Sequence, residues 1–257
     1  MLIEKLEKDI FLIAVLVVLF VLELLVPYFD TFKNKLLHTF RNLGLIALNA
    51  IIVSFCLIPF VALATGMSWG VFARVSLDWR VEMLLTIVLI DALTYVMHVL
   101  NHKWAFLWRF HRVHHADTEM DVTTGARFHI GEHFISTLVR CCLYAVFAIK
   151  LEYLVIYEAV FLANVLFHHA NLSVGEPLDK VYRIFFTSPN MHKVHHSDIR
   201  DEMDTNYTSL LSVWDRVFGT FCIVEDPKRI VYGVKGMADE QTIGRMFTTP
   251  FRQFDSK

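Results

Sequence analysis

Long apolar runs separated by short polar segments fill the first two thirds of the chain. The first three occupy residues 10–26, 43–64 and 83–100. An α-helix rises about 1.5 Å per residue, so runs of this length cross most or all of the ~30 Å hydrocarbon core of a bilayer. No small-residue cleavage pattern follows the first run, which favours a retained membrane helix. We therefore expect three membrane helices here, with Glu23 close enough to a helix end to reach water and Pro59 tolerated inside the second span.

Two shorter apolar runs, 134–149 and 153–167, flank the charged turn Lys150-Leu151-Glu152. This pattern predicts a helical hairpin that enters the membrane and returns to the side it left. At about 1.5 Å per residue each arm is roughly 23 Å long, which is short of the ~30 Å core. We expect the hairpin to be half-inserted or to thin the bilayer locally.

The order of the spans places every histidine-rich segment on one side of the membrane. Each span reverses the side of the following loop, so residues 98–115 and 168–196 share a face. A modest excess of Lys and Arg in the loops of that face indicates the cytosol. From Asn171 onward the chain is polar, which is typical of a cytosolic cap. The predicted fold is all-α, an integral membrane bundle of about four to five helices with a cytosolic histidine-rich cap. We divide it into membrane helices (1–82), a histidine-rich region (83–221) and a C-terminal tail (222–257).

Composition supports the membrane prediction and excludes one class of partner. Of the 257 residues, 55% are hydrophobic and only 19% are charged, so the chain is less charged than an average soluble domain. A net charge of -2 and a pI of about 6.7 provide no basic surface for nucleic acid. The four cysteines form no Cys-x-x-Cys pair, so neither a disulfide framework nor a thiolate metal site is expected.

Histidines recur in three clusters with helical spacing. His111-x-x-His114-His115 is echoed by His192-x-x-His195-His196, and His98 and His102 are four residues apart. Residues at i, i+3 and i+4 lie on one face of a helix, so their imidazoles can converge on one small volume.

Asp91 lies on the same helical stripe as His98 and His102. A carboxyl group in an apolar helix needs a partner. We expect Asp91 to orient a ligand histidine, and a purely structural hydrogen bond is the alternative.

Such clusters suit three chemistries: structural zinc, pH-sensitive surface histidines, or ligands of a redox metal pair. Surface histidines do not require this repeated spacing, and structural zinc usually closes its shell with four ligands, often cysteines. Nine or more histidines could instead serve two metals and leave a position open for a small molecule. Soluble di-iron bundles use Glu-x-x-His ligands, a motif that this sequence lacks.

The ordered set of motifs resembles the fatty acid hydroxylase / sterol desaturase superfamily of membrane di-iron enzymes. The resemblance covers roughly residues 85–221 and extends beyond the histidines. It includes Leu107-Trp108-Arg109-Phe110, Phe167-His168-His169-Ala170-Asn171-Leu172, Thr187-Ser188-Pro189-Asn190-Met191, Asn206-Tyr207 and Trp214-Asp215-Arg216-Val217-Phe218-Gly219-Thr220. Thr208 stands where the family commonly has glycine.

By this resemblance, the cofactor would be two iron ions. Carried over by position, their ligands would be His98, His102, His111, His114, His115, His169, His192, His195 and His196. His168 is an alternative to His169. The segment from Arg127 to Glu132 resembles a family segment that usually has proline at the place of Ile130, so His129 and His133 are expected only to support the ligands. His38, alone near a membrane boundary, is expected to be an interfacial side chain.

The implied activity is oxygen-dependent hydroxylation or desaturation of a lipid C–H bond. The lipid could be a sterol, a fatty acyl chain, an ether lipid or a carotenoid. The chain lacks flavin, nicotinamide and haem-attachment fingerprints, so an external electron donor is expected, either a cytochrome b5-like protein or a ferredoxin with its reductase. The alternative is a membrane protein that binds or transports zinc. Against transport, the histidines cluster at helix ends and in the cap rather than midway along the spans.

Overall fold

The computed structural model describes residues 2–30, 34–238 and 241–253. Its α-helices, in chain order, are α1 (Leu2–Leu25), α2 (Lys35–Cys56), α3 (Ile58–Thr65), α4 (Val71–Arg74), α5 (Trp79–Lys103), α6 (Ala105–His115), α7 (Ile130–Phe147), α8 (Leu151–His169), α9 (Glu176–Tyr182), α10 (Pro189–His195), α11 (Arg200–Met203), α12 (Val213–Val217) and α13 (Ile243–Thr248). Short 3-10 turns lie at Val122–Ala126, Pro227–Arg229 and Thr249–Phe251. Within the described ranges, β-pairing is limited to isolated bridges such as Pro27 with Leu172.

Four described helices are long and apolar enough to cross a membrane: α2, α5, α7 and α8. Only 11 to 39% of the most apolar window of each helix is buried inside the protein. Apolar side chains left uncovered over such lengths need lipid as their solvent, so the predicted all-α membrane bundle is confirmed. Helix α1 falls outside this set because Lys8, Asp9 and Glu23 bound or interrupt its apolar residues. Its crossing of the membrane remains a prediction.

The second predicted span is not one continuous helix. It is divided at Leu57 into α2 and α3, and Pro59 occupies the first turn of α3. A proline has no N–H to donate and disfavours helical backbone in the residue before it, which explains a break at this point. Helix α2 begins at Lys35, well before the apolar run, so it is long enough to cross by itself.

The arms of the hairpin are longer than the apolar runs predicted. Helices α7 and α8 have 18 and 19 residues, which at about 1.5 Å per residue is roughly 27 and 28 Å. Helix α7 starts at Ile130, before the apolar run, because its polar first turn is also helical. Glu132 in that turn accepts a hydrogen bond from Asn101 of α5. Ala148, left-handed with φ 55°, ends it. By length and composition each arm could cross a membrane. How deeply the hairpin inserts, and whether it thins the bilayer, remains a prediction.

The helices present the histidine motifs at one end of the bundle, which we call the histidine end. There Asn101, near the end of α5, donates from Nδ2 to Oε1 of Glu132 in the first turn of α7, at 2.9 Å. At the opposite end Lys150, before α8, pairs with Glu82 near the start of α5, at 2.7 Å from Nζ to Oε2. Helix α7 thus runs away from the histidine end and α8 returns to it.

A buried polar network replaces the water contact predicted for Glu23. The side chain is 1% exposed and accepts hydrogen bonds from Lys35 Nζ (2.6 Å) and from the backbone N–H groups of Val122 (3.1 Å) and Asn171 (3.0 Å). The expectation that it reaches water was wrong. Its paired partners make burial of the charge tolerable.

His38 belongs to the same network and is not an interfacial side chain. Its Nε2 lies 2.8 Å from Asp117 Oδ1, and its Nδ1 lies 3.3 Å from Asp121 Oδ2. Burial alone would raise the pKa of Asp117, but the neighbouring His38 and Arg127 hold it well below its usual range. Asp117 directly follows the first histidine motif, so the network fixes α1 and α2 against that motif.

The described residues after 221 return to the histidine end. Arg112 Nη2 donates to the carbonyl oxygens of Thr249 (2.6 Å) and Arg252 (2.8 Å). Helix α13 packs closely on α2 at Gly44, where an added Cβ would come within 2.7 Å of Ile243 Cδ1. The predicted tail therefore forms part of the packed protein as far as it is described.

Candidate metal centre

Nine buried histidines form two adjacent groups at the histidine end. Within each group the candidate ligand atoms lie within 4.8 Å of one another. The first group is His98, His102, His111, His115 and His195, and the second is His114, His169, His192 and His196. The structure thus brings together all nine of the ligands predicted from the sequence, including His169 rather than His168. That these side chains bind metal remains a prediction.

Each His-x-x-His-His motif contributes to both groups. Helix α6 provides His111 and His115, one turn apart, to the first group and His114 to the second. The motif at α10 contributes one histidine, His195, to the first group and two, His192 and His196, to the second. The rings of His115 and His196 stack, with centroids 4.4 Å apart and an interplanar angle of 17°. Two short helices therefore hold the two groups side by side.

In both groups the Nε2 atoms converge. His98 Nε2 lies 3.0 Å from the Nε2 atoms of both His111 and His195. In the second group His192 Nε2 lies 2.9 Å from His169 Nε2 and 3.1 Å from His196 Nε2. Two ligands at right angles, each about 2.1 Å from a common ion, place their nitrogens about 3.0 Å apart. The spacing therefore fits imidazoles arranged around a metal ion.

The outer ring nitrogens determine where the lone pairs point. His98 Nδ1 donates to the carbonyl oxygen of Tyr207 (2.6 Å), and His195 Nδ1 donates to that of Thr205 (2.7 Å). A neutral imidazole that donates through Nδ1 has only a lone pair at Nε2. The two Nε2 lone pairs face each other at 3.0 Å, an unfavourable contact that a bound cation would relieve.

Burial keeps the cap histidines neutral. It lowers the pKa of His195 to about 3, and it lowers the pKa values of His192 and His196 well below the usual range, with neighbouring imidazoles adding to the effect. The same holds for the pKa values of His114 and His115 on α6. Neutral imidazole is the form that coordinates metals, so the protein presents these side chains ready to bind.

His115 has an unmet requirement for a ligand. It is completely buried, and neither of its ring nitrogens has a hydrogen-bond partner in the described part of the chain. A buried polar atom without a partner costs roughly 1–3 kcal/mol, so such a side chain is rarely kept without a reason. Coordination of a metal by His115 would supply one.

The side chains predicted to support the ligands lie in different places and make different contacts. His168 is buried, with its ring centroid 4.1 Å from that of His192, but it is not a member of either group. His129 caps α7 by accepting from Gly131 N–H and donates from Nε2 to Phe247 O (3.2 Å). His133 packs on Phe128 at 5.9 Å between centroids. His129 and His133 therefore lie outside both groups.

Asp91 does not orient a histidine. Its carboxylate accepts hydrogen bonds from Tyr157 Oη (3.1 Å), Leu211 N–H (3.2 Å) and Trp214 Nε1 (2.8 Å). The preferred expectation for this residue was wrong, and the structural alternative holds. Asp91 fastens α12 and the segment before it to α5 and α8.

Sequence reasoning missed Glu132 as an orienting group. Its Oε1 accepts from His111 Nδ1 at 2.9 Å, as well as from Asn101 Nδ2. Carboxylates that accept from the outer nitrogen of a ligand histidine fix its ring and increase its basicity. Glu132 ends the Arg127–Glu132 segment that carries the family resemblance, and that signal could have identified it. Phe128 of the same segment stacks on His114, with centroids 4.4 Å apart.

A comparison with protein families matches the same part of the chain. The family model described as fatty acid hydroxylase covers residues 83–220, which is more than half of the chain and contains all nine grouped histidines.

Curated relatives are lipid-modifying enzymes. The ornithine lipid hydroxylase OlsE of Rhizobium tropici is 32% identical over 161 residues, 60% of this chain and 46% of that protein. The alkylglycerol monooxygenase of Xenopus tropicalis is 26% identical over 175 residues, 65% of this chain and 36% of that protein. The human alkylglycerol monooxygenase is 28% identical over 145 residues, 54% of this chain and 30% of its own length. The chain spans less than half the length of each. No solved structure matches it.

Proposed function

The chain belongs to the fatty acid hydroxylase family, and from this membership we propose that it is a membrane-bound, oxygen-dependent hydroxylase acting on a C–H bond of a lipid. The observation that carries the proposal is the pair of buried histidine groups, five and four side chains whose candidate ligand atoms lie within 4.8 Å of one another in each group, inside the residues that match the family. Within the chain we assign the catalytic role to residues 83–221, supported by the helices of residues 1–82 and by residues 222–257.

We further propose that the two groups hold two iron ions. Nine imidazoles shared by two ions leave coordination positions open, as a catalytic metal requires. A di-iron centre supplies the reductive activation of dioxygen that attack on an unactivated C–H bond demands.

The contribution of the chain is to orient the ligands and exclude water. Backbone carbonyl groups accept the Nδ1 protons of His98, His169 and His195, and Glu132 accepts that of His111, so each Nε2 points inward. Phe128 covers His114 on one side and keeps that side apolar. None of the nine grouped histidines is assigned as a general base, because each would serve as a ligand.

Hydroxylation is favoured over desaturation by the relatives. One is named as a lipid hydroxylase and the others as monooxygenases. Both substrate names, an ornithine lipid and an alkylglycerol, describe lipids, which supports a lipid substrate that reaches the site from the membrane. We place the histidine end on the cytosolic side, where the excess of Lys and Arg in the loops supports it.

The lipid profile of expressing cells tests the proposed activity. Cells expressing the intact chain should accumulate a lipid heavier by one oxygen, and cells expressing His111→Ala should not, as measured by mass spectrometry of total lipids. A loss of two hydrogens instead would make the enzyme a desaturase. Identical profiles in hosts supplied with both ornithine lipids and alkylglycerols, from protein that still binds metal, would contradict the proposal and support a metal-binding protein.

A dependence on external electrons is the second expectation. We propose that a cytochrome b5-like protein or a ferredoxin with its reductase supplies them, since the sequence carries no flavin or nicotinamide fingerprint. Purified protein given only dioxygen and lipid should form at most one product per centre, and added reductase and carrier should restore repeated turnover. Sustained turnover without any reductant, measured as product per metal pair, would refute this dependence.

A further inference from the structure

A groove of about 290 Å³ opens between the membrane helices and the cap, on the side of the bundle formed by α1 and α8. Its walls are Phe11 of α1, Val160, Ala163 and Phe167 of α8, and Phe186 and Leu210 of the cap. We call it the α1–α8 groove. These six side chains are apolar, and the other two that line the groove, Asn164 and Tyr182, are uncharged, so the groove suits a hydrocarbon ligand and offers no charged partner.

The inner wall of the groove is polar and fully hydrogen-bonded. Tyr182 Oη donates to Asn164 Oδ1 at 2.5 Å, and Asn164 Nδ2 donates to the carbonyl oxygen of Ser209 at 2.8 Å. Burial raises the pKa of Tyr182 to about 12, so its phenol remains a proton donor at neutral pH. These bonds join α8 to the cap along the groove.

This wall connects the groove to the second histidine group. Asn164 Nδ2 lies 3.3 Å from Nδ1 of His168, one helical turn further along α8. His168 is fully buried, and its ring lies 4.1 Å from that of His192 between centroids. Its Nε2 has no hydrogen-bond partner in the described ranges, so a polar atom is left free next to the proposed metal site.

The outer side of the groove faces the region that lipid would occupy. Val160 is 49% exposed and Phe11 is 47% exposed, both on helices whose uncovered faces are apolar. On the cap, Val181, Ile184 and Phe185 beside the groove are also exposed. Apolar surface of this extent next to a membrane helix indicates contact with acyl chains rather than with water.

We propose that the α1–α8 groove admits one aliphatic chain of the lipid substrate laterally from the bilayer and leads it to the Asn164–His168 wall of the second histidine group. The proposal rests on the proposed function, because it assigns an entry route to that site. A chain held here needs no polar contact along its length, and Asn164 and Tyr182 are the two polar side chains of the lining.

A matched pair of variants tests the route. Val160→Trp fills the groove, whereas Ile156→Trp adds the same bulk one helical turn away, at a position of similar exposure (46%) that does not line it. Each full-length variant is reconstituted in liposomes with increasing fractions of a phospholipid that carries a diazirine within one acyl chain. After illumination, mass spectrometry measures the labelled residues.

In wild-type protein and Ile156→Trp, labelling of the peptides that contain residues 160–167 and 186 should saturate as the fraction of diazirine lipid rises. Labelling at Leu138, an exposed residue of α7, should instead rise linearly with that fraction. Val160→Trp should lose the saturable component and at least about tenfold of product formation, because the indole ring would fill the space of the chain, with unchanged metal content. Labelling that is linear at every site, or unchanged in Val160→Trp, would overturn the groove. Because labelling requires no turnover, failure of the groove and failure of the hydroxylase proposal are distinguishable.

Discussion

Replacement of His115 by alanine is expected to reduce product formation more than ~100-fold, beyond the range seen when only a residue supporting a ligand is removed. Purified His115→Ala should also bind less metal than the wild-type protein, measured by elemental analysis. Neither ring nitrogen of His115 is hydrogen-bonded in the described chain, so the substitution breaks no structural hydrogen bond. Lost activity would therefore report on coordination.

His129→Ala is the control for this experiment. His129 lies outside both groups and caps α7, so its loss should cost about 0.5–2 kcal/mol of stability, as other helix caps do. Metal content and product should be retained. The metal assignment fails if His115→Ala, folded as judged by thermal unfolding, keeps both its metal and its product.

Replacement of Glu132 by glutamine is expected to weaken metal binding or turnover by about 10–100-fold, the usual effect of removing a carboxylate that orients a ligand histidine. Glu132 Oε1 accepts from His111 Nδ1 at 2.9 Å. A neutral amide keeps the shape of the side chain but is a weaker acceptor and does not stabilise positive charge on the ring. Competition with a chelator measures the affinity, and Glu132→Asp tests whether a carboxylate rescues it.

Glu152→Gln is the matched control, because Glu152 also lies in the first turn of a membrane helix. Both substitutions remove a negative charge from a helix N-terminus and so cost a similar dipole contribution. Only Glu132→Gln should alter metal affinity. Equal and small effects of the two changes would show that Glu132 merely stabilises its helix.

The sequence predicted the existence of the membrane helices better than their limits. The apolar run 43–64 includes Pro59, yet the interruption at Leu57 depends on the backbone around that proline. Conversely, the first turn of α7 is polar and was excluded from the span, although it is helical because Glu132 finds partners on α5 and α6. Hydropathy indicates whether a segment lies in lipid or in water. It does not show the polar tertiary contacts that extend a helix beyond its apolar residues.

The candidate site was predictable as a set of residues but not as an arrangement. The spacing of the motifs identified the histidines, since i, i+3 and i+4 share a helical face. How α6 and α10 divide their histidines between the two groups depends on how those helices meet, which no local pattern specifies. The contacts of His38 and Glu23 were missed for the same reason, because partners such as Asp117 are remote in sequence.

The network around Asp117 has a consequence for the order in which the protein is assembled. His38 and Asp117 are separated by 79 positions, and Lys35 and Asp121 by 86. At about 5–20 residues per second, the ribosome adds those residues in roughly 4 to 17 s, during which α1 and α2 are already made. Helix α2 therefore waits beside the insertion machinery with His38, whose carboxylate partners do not yet exist, while Lys35 has only Glu23 of α1 to pair with. Final docking of the N-terminal helices is a late event, completed only when the first histidine motif has been synthesised.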